Sequence, residues 1–220
     1  SIKTIPSRSN LFSIIDNQAI YHFKSCLSFI TQLGKSIYGQ HFKINEEDHL
    51  IIYKLLVYFI QDHDKAKKYK LNLSKGIMLS GPVGSGKTSL MNLMRYFIDK
   101  QNRHIIRSCR EISFEFINHG YDVILKYSSR SFNHSYPKTY CFDDLGTEQN
   151  LKYFGNDCNT MAEILLSRYD QFISHGMLTH ITTNLSATEI EEYYGNRVRS
   201  RMREMFNLVS FNEDVSDKRI

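Results

Sequence analysis

The chain has 220 residues, of which 41% are hydrophobic, 3 are proline and 11 are glycine. This length suits one α/β domain with a modest N-terminal extension, and the low proline and glycine content argues against long disordered linkers. The formal net charge of +5 permits contact with nucleic acid but does not require it, because a solvated basic surface also has such a charge.

The sequence shows no sign of export or membrane insertion. Its N-terminus is polar and lacks the apolar segment of a signal peptide. The most apolar window, Leu50 to Ile60, is too short for a membrane span and contains Lys54. The cysteines are scattered without a C-x-x-C pair, as is typical of reduced, packed thiols (Cys26, Cys109, Cys141 and Cys158). We therefore expect a cytoplasmic protein without a membrane partner.

The first part of the chain is expected to support a larger domain. We predict that residues 1–70 form an N-terminal helical extension packed on the core, and that residues 71–220 form the main domain. Residues 1–44 are aromatic-rich but poorly periodic, so short helices and loops are expected there. Asn45 is predicted to begin a helix with Asp48 at the capping-box position, and a mostly buried helix follows over Leu50 to Phe59.

The next segment is the most informative one. Ile77 to Ser80 is a short apolar run, and the eight residues after it read G-x-x-x-x-G-K-T. A stretch with helical apolar spacing follows, so the order is strand, phosphate-binding loop and helix. This context predicts a nucleoside triphosphate site rather than a simple glycine-rich turn. The predicted nucleotide-binding residues are Gly81, Pro82, Val83, Gly84, Ser85, Gly86, Lys87, Thr88 and Ser89.

Two of these residues have individual roles in the prediction. The Lys87 ammonium, expected to be exposed in the absence of nucleotide, would reach the β- and γ-phosphates, and the Thr88 hydroxyl would bind Mg²⁺.

The remaining elements alternate between strands and helices. Strands are predicted at His104–Ser108, Thr139–Asp143, Leu178–Thr183 and Phe206–Phe211, and helices at Glu111–His119, Asn159–Ser174 and Ala187–Tyr194. The segment Tyr121–Tyr127 suits either type, and Ser128–Pro137 is predicted to be a polar loop. This alternation predicts a parallel sheet with helices on both faces.

Two adjacent acids, Asp143 and Asp144, lie at the end of the predicted strand Thr139–Asp143. Asp143 is assigned to the magnesium ion, and Asp144 is the candidate catalytic base. Many ATPases of this type have glutamate at the second position. Aspartate is one methylene shorter, so Glu148 is an alternative base. A solvated turn with two acids is the other interpretation.

Two further features belong to the predicted site. Asn184 follows the next strand and would position the attacking water, although an asparagine there is also an ordinary turn residue. Arg197 and Arg201 share one face of an arginine-rich helix. Either could be an arginine finger that completes a neighbouring subunit's site, with Arg197 preferred, whereas a solvated or nucleic-acid-binding face is the alternative.

These motifs, in this order, resemble the AAA+ ATPases of the DnaC/IstB group, which contains bacterial helicase loaders and transposition ATPases. The resemblance covers residues 72–212 and includes the GNRVRSRM sequence. It implies a five-stranded parallel P-loop NTPase sheet of the AAA+ (ASCE) type, ATP and Mg²⁺ as cofactors with ADP as product, and nucleotide bound between subunits. Because the chain ends soon after its last predicted strand, we also expect no C-terminal lid domain.

The resemblance leaves three functions open. The first is an ATP-hydrolysing loader or remodeller of a replicative helicase, the second is a transposition ATPase that recruits a transposase, and the third is a nucleotide-switched interaction protein with little hydrolysis. The expected partners are further copies of the chain, single-stranded or double-stranded DNA, and a helicase or transposase. A metabolite kinase fits less well, because the pairing of Asn184 with the arginine-rich helix suits an oligomeric ATPase better.

DNA contacts are expected after the second strand, where such loaders usually meet DNA. Aromatic rings that could stack on bases, those of Phe114, Tyr127 and Phe132, alternate there with cations. An ordinary solvated face with core aromatics explains the same pattern equally well. The candidate DNA-binding residues are Arg107, Arg110, Lys126 and Arg130.

Overall fold

The computed structural model describes residues 10–16, 18–148, 151–153 and 156–212. An antiparallel strand pair, β1 (Phe12–Ile15) and β2 (Gln18–Tyr21), comes first. The 16-residue helix α1 (Phe23–Tyr38) follows and buries residues three or four positions apart, from Cys26 to Leu33. The expectation of only short helices and loops before residue 45 is therefore wrong for this segment.

The predicted capping box lies ahead of the second helix. The Asn45 N–H donates to Asp48 Oδ2 at 3.1 Å, and a 3₁₀ turn (Glu46–Asp48) leads into α2 (His49–Phe59). The prediction of a mostly buried helix is confirmed, since seven of its residues between Ile51 and Phe59 are buried. The short helix α3 (His63–Lys68) is capped by Asp62, whose side chain accepts from the Lys65 N–H.

Five parallel strands form the central sheet, in agreement with the predicted fold class. They are β3 (Gly76–Ser80), β4 (Ile105–Ser108), β7 (Tyr140–Leu145), β10 (Thr179–Thr183) and β11 (Phe206–Ser210). Their order across the sheet is β11–β3–β10–β7–β4. Because β10 lies between β3 and β7, its side chains can bridge the phosphate-binding loop and the paired acids.

Helices cover both faces of this sheet. They are α4 (Lys87–Met94), α5 (Cys109–His119), α6 (Tyr121–Tyr127), α7 (Thr160–His175) and α8 (Ala187–Met205), and 3₁₀ turns occupy Arg95–Phe97 and Lys100–Asn102. The segment at Tyr121 is thus a helix. The predicted polar loop after it contains a short strand pair, β5 (Phe132–Asn133) and β6 (Tyr136–Pro137). A second pair, β8 (Leu151–Tyr153) and β9 (Asn156–Cys158), was not predicted.

Two hydrophobic cores flank the sheet because successive strand residues point to opposite faces. Ile77 and Leu79 of β3 pack in one core with α1, α2 and α4. Tyr140 and Phe142 of β7 pack in the other with α5 to α8. The cysteines Cys26, Cys109, Cys141 and Cys158 are free and buried, as the sequence predicted.

Helix α8 is kinked at Gly195, where φ is 82° and ψ is 162°. Backbone of this kind is almost confined to glycine. The kink divides α8 into a first half that ends at Tyr194 and a second half that contains Arg197 and Arg201. The sequence prediction of two separate helical segments on either side of residue 195 is therefore confirmed in substance.

Candidate functional site

The loop between β3 and α4 encloses the side chain of Lys87. Its Nζ atom donates to the carbonyl oxygens of Gly81 at 2.8 Å and Pro82 at 2.9 Å, and the residue is only 5% exposed. The expectation that this side chain is exposed is therefore wrong, because the loop's own carbonyls surround the ammonium. Gly84 and Gly86 have φ angles of 83° and 89°, which lets the chain turn sharply into α4.

The N-terminus of α4 points into the same loop. Its N-cap residue is Gly86, and no side chain caps the helix. The first-turn N–H groups of a helix have no partners within the helix, and they favour anions. Together with the Lys87 ammonium, they form a region of positive electrostatic potential that suits a phosphate group.

The paired acids lie where the ladder between β7 and β10 is irregular. Phe142 pairs with Ile181 but Leu145 pairs with Thr183, so one extra residue is accommodated in β7. Asp144 has a φ of 55° at this point. A bulge redirects side chains, and here it places Asp144 in the cleft beside the phosphate-binding loop.

Asp143 is at the centre of a hydroxyl network. Its carboxylate accepts from Thr88 Oγ1 at 2.9 and 3.0 Å and from Thr182 Oγ1 at 2.6 Å. The Thr182 hydroxyl also accepts from the Asp144 N–H at 2.9 Å, so it fixes both acids. Sequence reasoning missed Thr182, because a threonine within a β-branched run indicates only a strand.

The donor set around Asp143 fits a magnesium ion. Burial raises the pKa of Asp143, and the hydrogen bonds from Thr182 and Thr88 oppose that shift. A buried carboxylate beside a threonine hydroxyl offers the hard oxygen ligands that Mg²⁺ prefers, and a cation there would compensate the cost of burying the charge.

A cleft of about 520 Å³, a volume typical of small-molecule sites, is lined by Lys87, Thr88 and Asp144. One wall is aromatic: the rings of Tyr38 and Phe42 stack at 5.7 Å, and the Tyr38 hydroxyl accepts from Asn92 Nδ2 of α4 at 2.8 Å. Sequence analysis did not include this wall in the site, since nothing local links residues 38–43 to residue 87. The cleft is lined by Tyr38, His41, Phe42, Lys43, Val83, Gly84, Gly86, Lys87, Thr88, Ser89, Asp144, Thr147 and Asn184.

Among the other candidates, Asn184 reaches this cleft and Glu148 does not. Asn184 is exposed just after β10 and lines the cleft together with residues of the phosphate-binding loop. Glu148 accepts from the Gly146 N–H at 2.9 Å and from the Tyr194 hydroxyl. Its carboxylate is thus held against α8, which favours Asp144 over Glu148 as the acid nearer to a bound phosphate.

The two candidate arginines differ in their surroundings. Arg201 donates to the Tyr169 hydroxyl at 3.0 Å, and its guanidinium lies 4.3 Å from the centre of that ring. Arg197 is exposed, and within the described part of the chain we find no hydrogen bond or ion pair for it. Neither residue lines the cleft that contains Lys87.

A second cleft of about 640 Å³ lies between β11, β3 and α8. Its walls are mainly apolar, but Arg199 and Arg203 line it next to Pro82 and Asn184. The sequence analysis assigned no role to these two arginines, which alternate with the candidate fingers along the helix. Arg199 also pairs with Glu191 across the Gly195 kink.

The candidate DNA-binding residues are largely engaged within the chain. Lys126 pairs with Glu115 at 2.6 Å, and Arg130 pairs with Asp122 at 3.1 Å. Arg110 lies over the exposed ring of Phe114 at 5.5 Å, and Arg107 is exposed on the edge strand β4. Tyr127 is fully buried. The expectation that its ring could stack on a base is therefore wrong.

Solved structures share this architecture. The DnaC helicase loader aligns with a TM-score of 0.54 and 20% identity over 78% of this chain and 93% of its own. The chain has the fold of that loader. A candidate primosome component from Streptococcus pyogenes serotype M3 aligns with a TM-score of 0.55 and 15% identity over 83% of this chain and 89% of its own.

A DNA replication initiation factor aligns less completely, with a TM-score of 0.53 and 16% identity over 78% of this chain and 48% of its own. No protein-family model matches the sequence, and no curated protein does. Among the described residues, none of the helices combines the length and hydrophobicity that a bilayer crossing requires.

Proposed function

We propose that this protein is an ATPase that binds Mg-ATP and hydrolyses it between adjacent subunits, and that it acts as a DNA-associated loader of a replicative helicase. The observation that supports this most directly is the convergence of Lys87, Thr88, Asp144 and Asn184 on one cleft, with Asp143 directly behind Thr88. The fold shared with the DnaC helicase loader supports the choice of partner.

Each group has a role that follows from its position. Lys87 and the N–H groups at the start of α4 would hold the phosphates, and the Tyr38–Phe42 wall would contact the base. Thr88 and Asp143 would hold the magnesium ion, which stabilises charge that develops on the phosphate oxygens. Asp144 would accept a proton from, or orient, the attacking water, with Asn184 on its other side.

The position of Arg197 supports a site shared between subunits. Arg197 is exposed, it does not line its own chain's cleft, and Arg201 is engaged by Tyr169 and Glu204. An arginine that stabilises the transition state contributes on the order of 10³-fold to turnover. We therefore propose Arg197 as the finger of a neighbouring site, in a homo-oligomer that nucleotide or DNA promotes.

The proposed DNA contact depends on Arg107 and Arg110 more than on Lys126 and Arg130, because the last two charges are already paired with acids. Arg110→Ala should weaken single-stranded DNA binding and reduce its salt dependence. Lys126→Ala, the matched control, should have a smaller effect. Equal effects of the two substitutions would remove the support for this surface.

The decisive experiment measures ATP turnover per subunit as a function of protein concentration. Turnover should rise with concentration in the wild type. Lys87→Ala should lose ATP binding in calorimetry, and Arg197→Ala should bind ATP but lose nearly all hydrolysis. A mixture of the two variants should regain turnover, because a mixed interface can combine an intact loop with an intact finger.

Other outcomes would change the proposal. Equal ATP affinity of Lys87→Ala and the wild type would refute the nucleotide site. ATP binding without turnover at any concentration would support a nucleotide switch. ATP-dependent binding to a transposase but not to the replicative helicase would support the transposition alternative.

A further inference from the structure

Tyr194 is almost buried at the end of the first half of α8, with 7% of its surface exposed. Its hydroxyl donates to Glu148, which lies 46 residues earlier in the chain. Burial, followed by the nearby Glu148 carboxylate, raises the pKa of Tyr194, so the phenol keeps its proton and acts as a donor. Helix α8 also buries the apolar side chains of Ile190, Val198 and Met202, but the phenol of Tyr194 has a polar group, so its burial requires the hydrogen-bond partner that Glu148 supplies.

Glu148 connects Tyr194 to the loop that carries the catalytic acid. Its second oxygen accepts from the Gly146 N–H at 2.9 Å, within the turn where the Thr147 N–H donates to the Asp144 carbonyl at 3.1 Å. Asp144 and Thr147 both line the cleft. One carboxylate therefore holds the Asp144 loop and the end of the first half of α8 at the same time.

Arg197 lies three residues beyond Tyr194, just past the Gly195 kink. At this kink the helix loses its regular backbone, so the direction of the second half depends on contacts around the kink. The polar contacts nearest the kink include the Tyr194–Glu148 hydrogen bond, the bond of 2.9 Å from Asn159 Nδ2 to the Tyr193 carbonyl, and the Arg199–Glu191 pair.

We propose that Tyr194 is a positioning residue whose hydrogen bond to Glu148 holds the second half of α8 so that Arg197 reaches the nucleotide site of a neighbouring subunit. The inference rests on the proposed function and adds to it: the loop of one site determines the direction of the finger that serves the next. It also gives Glu148, the alternative base, a different role, as the link between the Asp144 loop and α8.

The test uses Tyr194→Phe, which removes only the hydroxyl, and Tyr193→Phe as the matched control. Tyr193 is half exposed, and no hydrogen bond of its hydroxyl is found in the described part of the chain. Tyr194→Phe should keep its ATP affinity and melting behaviour but lose turnover by up to about 100-fold, the effect of a misplaced catalytic group. Tyr193→Phe should match the wild type.

Mixing experiments separate a positioning role from a merely structural one. Tyr194→Phe mixed with Lys87→Ala should turn over faster than the two proteins measured apart. In the mixture, the Lys87→Ala protein would supply a correctly positioned Arg197 to the intact phosphate-binding loop of the Tyr194→Phe protein. Tyr194→Phe mixed with Arg197→Ala should show no such increase in turnover, since neither protein supplies a correctly positioned Arg197. Glu148→Gln, which has one acceptor oxygen in place of the two that receive the Gly146 N–H and the Tyr194 hydroxyl, should follow the same pattern.

The opposite pattern would overturn the inference. If Glu148→Gln or Tyr194→Phe regains turnover with Arg197→Ala but not with Lys87→Ala, the defect lies in the protein's own phosphate site. Wild-type turnover by Tyr194→Phe would also overturn it. If the control mixture of Lys87→Ala and Arg197→Ala fails to regain turnover, the finger does not act between subunits, and the proposed function fails on that point together with the inference.

Discussion

Replacement of Arg168 by methionine should be among the most destabilising single changes in the chain. Arg168 on α7 is fully buried, and its guanidinium donates four hydrogen bonds. They reach Thr179 Oγ1 at 2.6 Å and the carbonyl oxygens of Tyr127, Lys138 and Leu178 at 2.8, 3.1 and 2.7 Å. Burial lowers the pKa of Arg168 to about 9, so the side chain remains a cation at neutral pH.

The size of the destabilisation follows from the hydrogen bonds that each partner of Arg168 loses. Methionine fills most of the apolar volume but leaves three carbonyls and one hydroxyl, all buried or partly buried, without this donor, at about 1–3 kcal/mol for each group that stays unpaired. The loss is partly offset, because the folded chain no longer has to bury a cation. We expect a net loss of about 3–5 kcal/mol in the free energy of unfolding.

Urea unfolding followed by circular dichroism measures this loss. Arg201→Met is the matched control: Arg201 is partly exposed, its partners Tyr169 and Glu204 remain solvated, and its loss should cost at most about 1 kcal/mol. If Arg168→Met costs no more than Arg201→Met, the four hydrogen bonds do not stabilise the fold as argued.

Three further outcomes are expected. Acidification should destabilise the chain, because burial lowers the pKa of His104 to about 3 and that of His180 well below its usual range. The unfolded chain then binds more protons below about pH 6.5, so this stability is present above that pH and is lost as the pH falls, by about 1.4 kcal/mol per unit for each histidine. His180→Asn, which keeps an acceptor near the Ile77 N–H, should halve the slope in urea titrations, and an unchanged slope would exclude His180 as its source. Gly195→Ala should lower stability by about 1–3 kcal/mol through backbone conformation alone, since no atom beyond the chain neighbours and the nearby backbone of the helix lies within 4 Å of the added Cβ; thermal unfolding beside Asn196→Ala checks this, and equal melting temperatures would contradict it. Asp144→Asn should slow turnover with ATP affinity kept, whereas Asp143→Asn should abolish the Mg²⁺ dependence of binding, as calorimetry with and without Mg²⁺ would show; normal turnover of Asp144→Asn would rule out Asp144 as the base.

The sequence predicted those parts of the fold that depend on local pattern. The strand before Gly81, the helix that contains Leu90 and the capping box at Asn45 involve residues close together in the chain, and each is present. The alternation of strands and helices sufficed for a parallel sheet, because few topologies satisfy it.

Features that depend on contacts between distant segments could not be predicted in this way. Tyr127 was a candidate for stacking on a base, but its hydroxyl donates to Glu115 and its ring packs against Tyr140 in the core. Thr182 acquires its importance only where β10 lies beside β7. Tyr38 joins the cleft through Asn92, 54 residues later.

The two carbonyls that hold Lys87 change what a binding measurement on this site means. The ammonium already donates to the carbonyl oxygens of Gly81 and Pro82, so under the proposed function a phosphate would compete with these acceptors for its donors. The observed affinity is then a difference between two satisfied states and is smaller than the strength of the ammonium–phosphate contact itself. In return, these two hydrogen bonds tie the first residue of α4 to the start of the loop at Gly81 and Pro82.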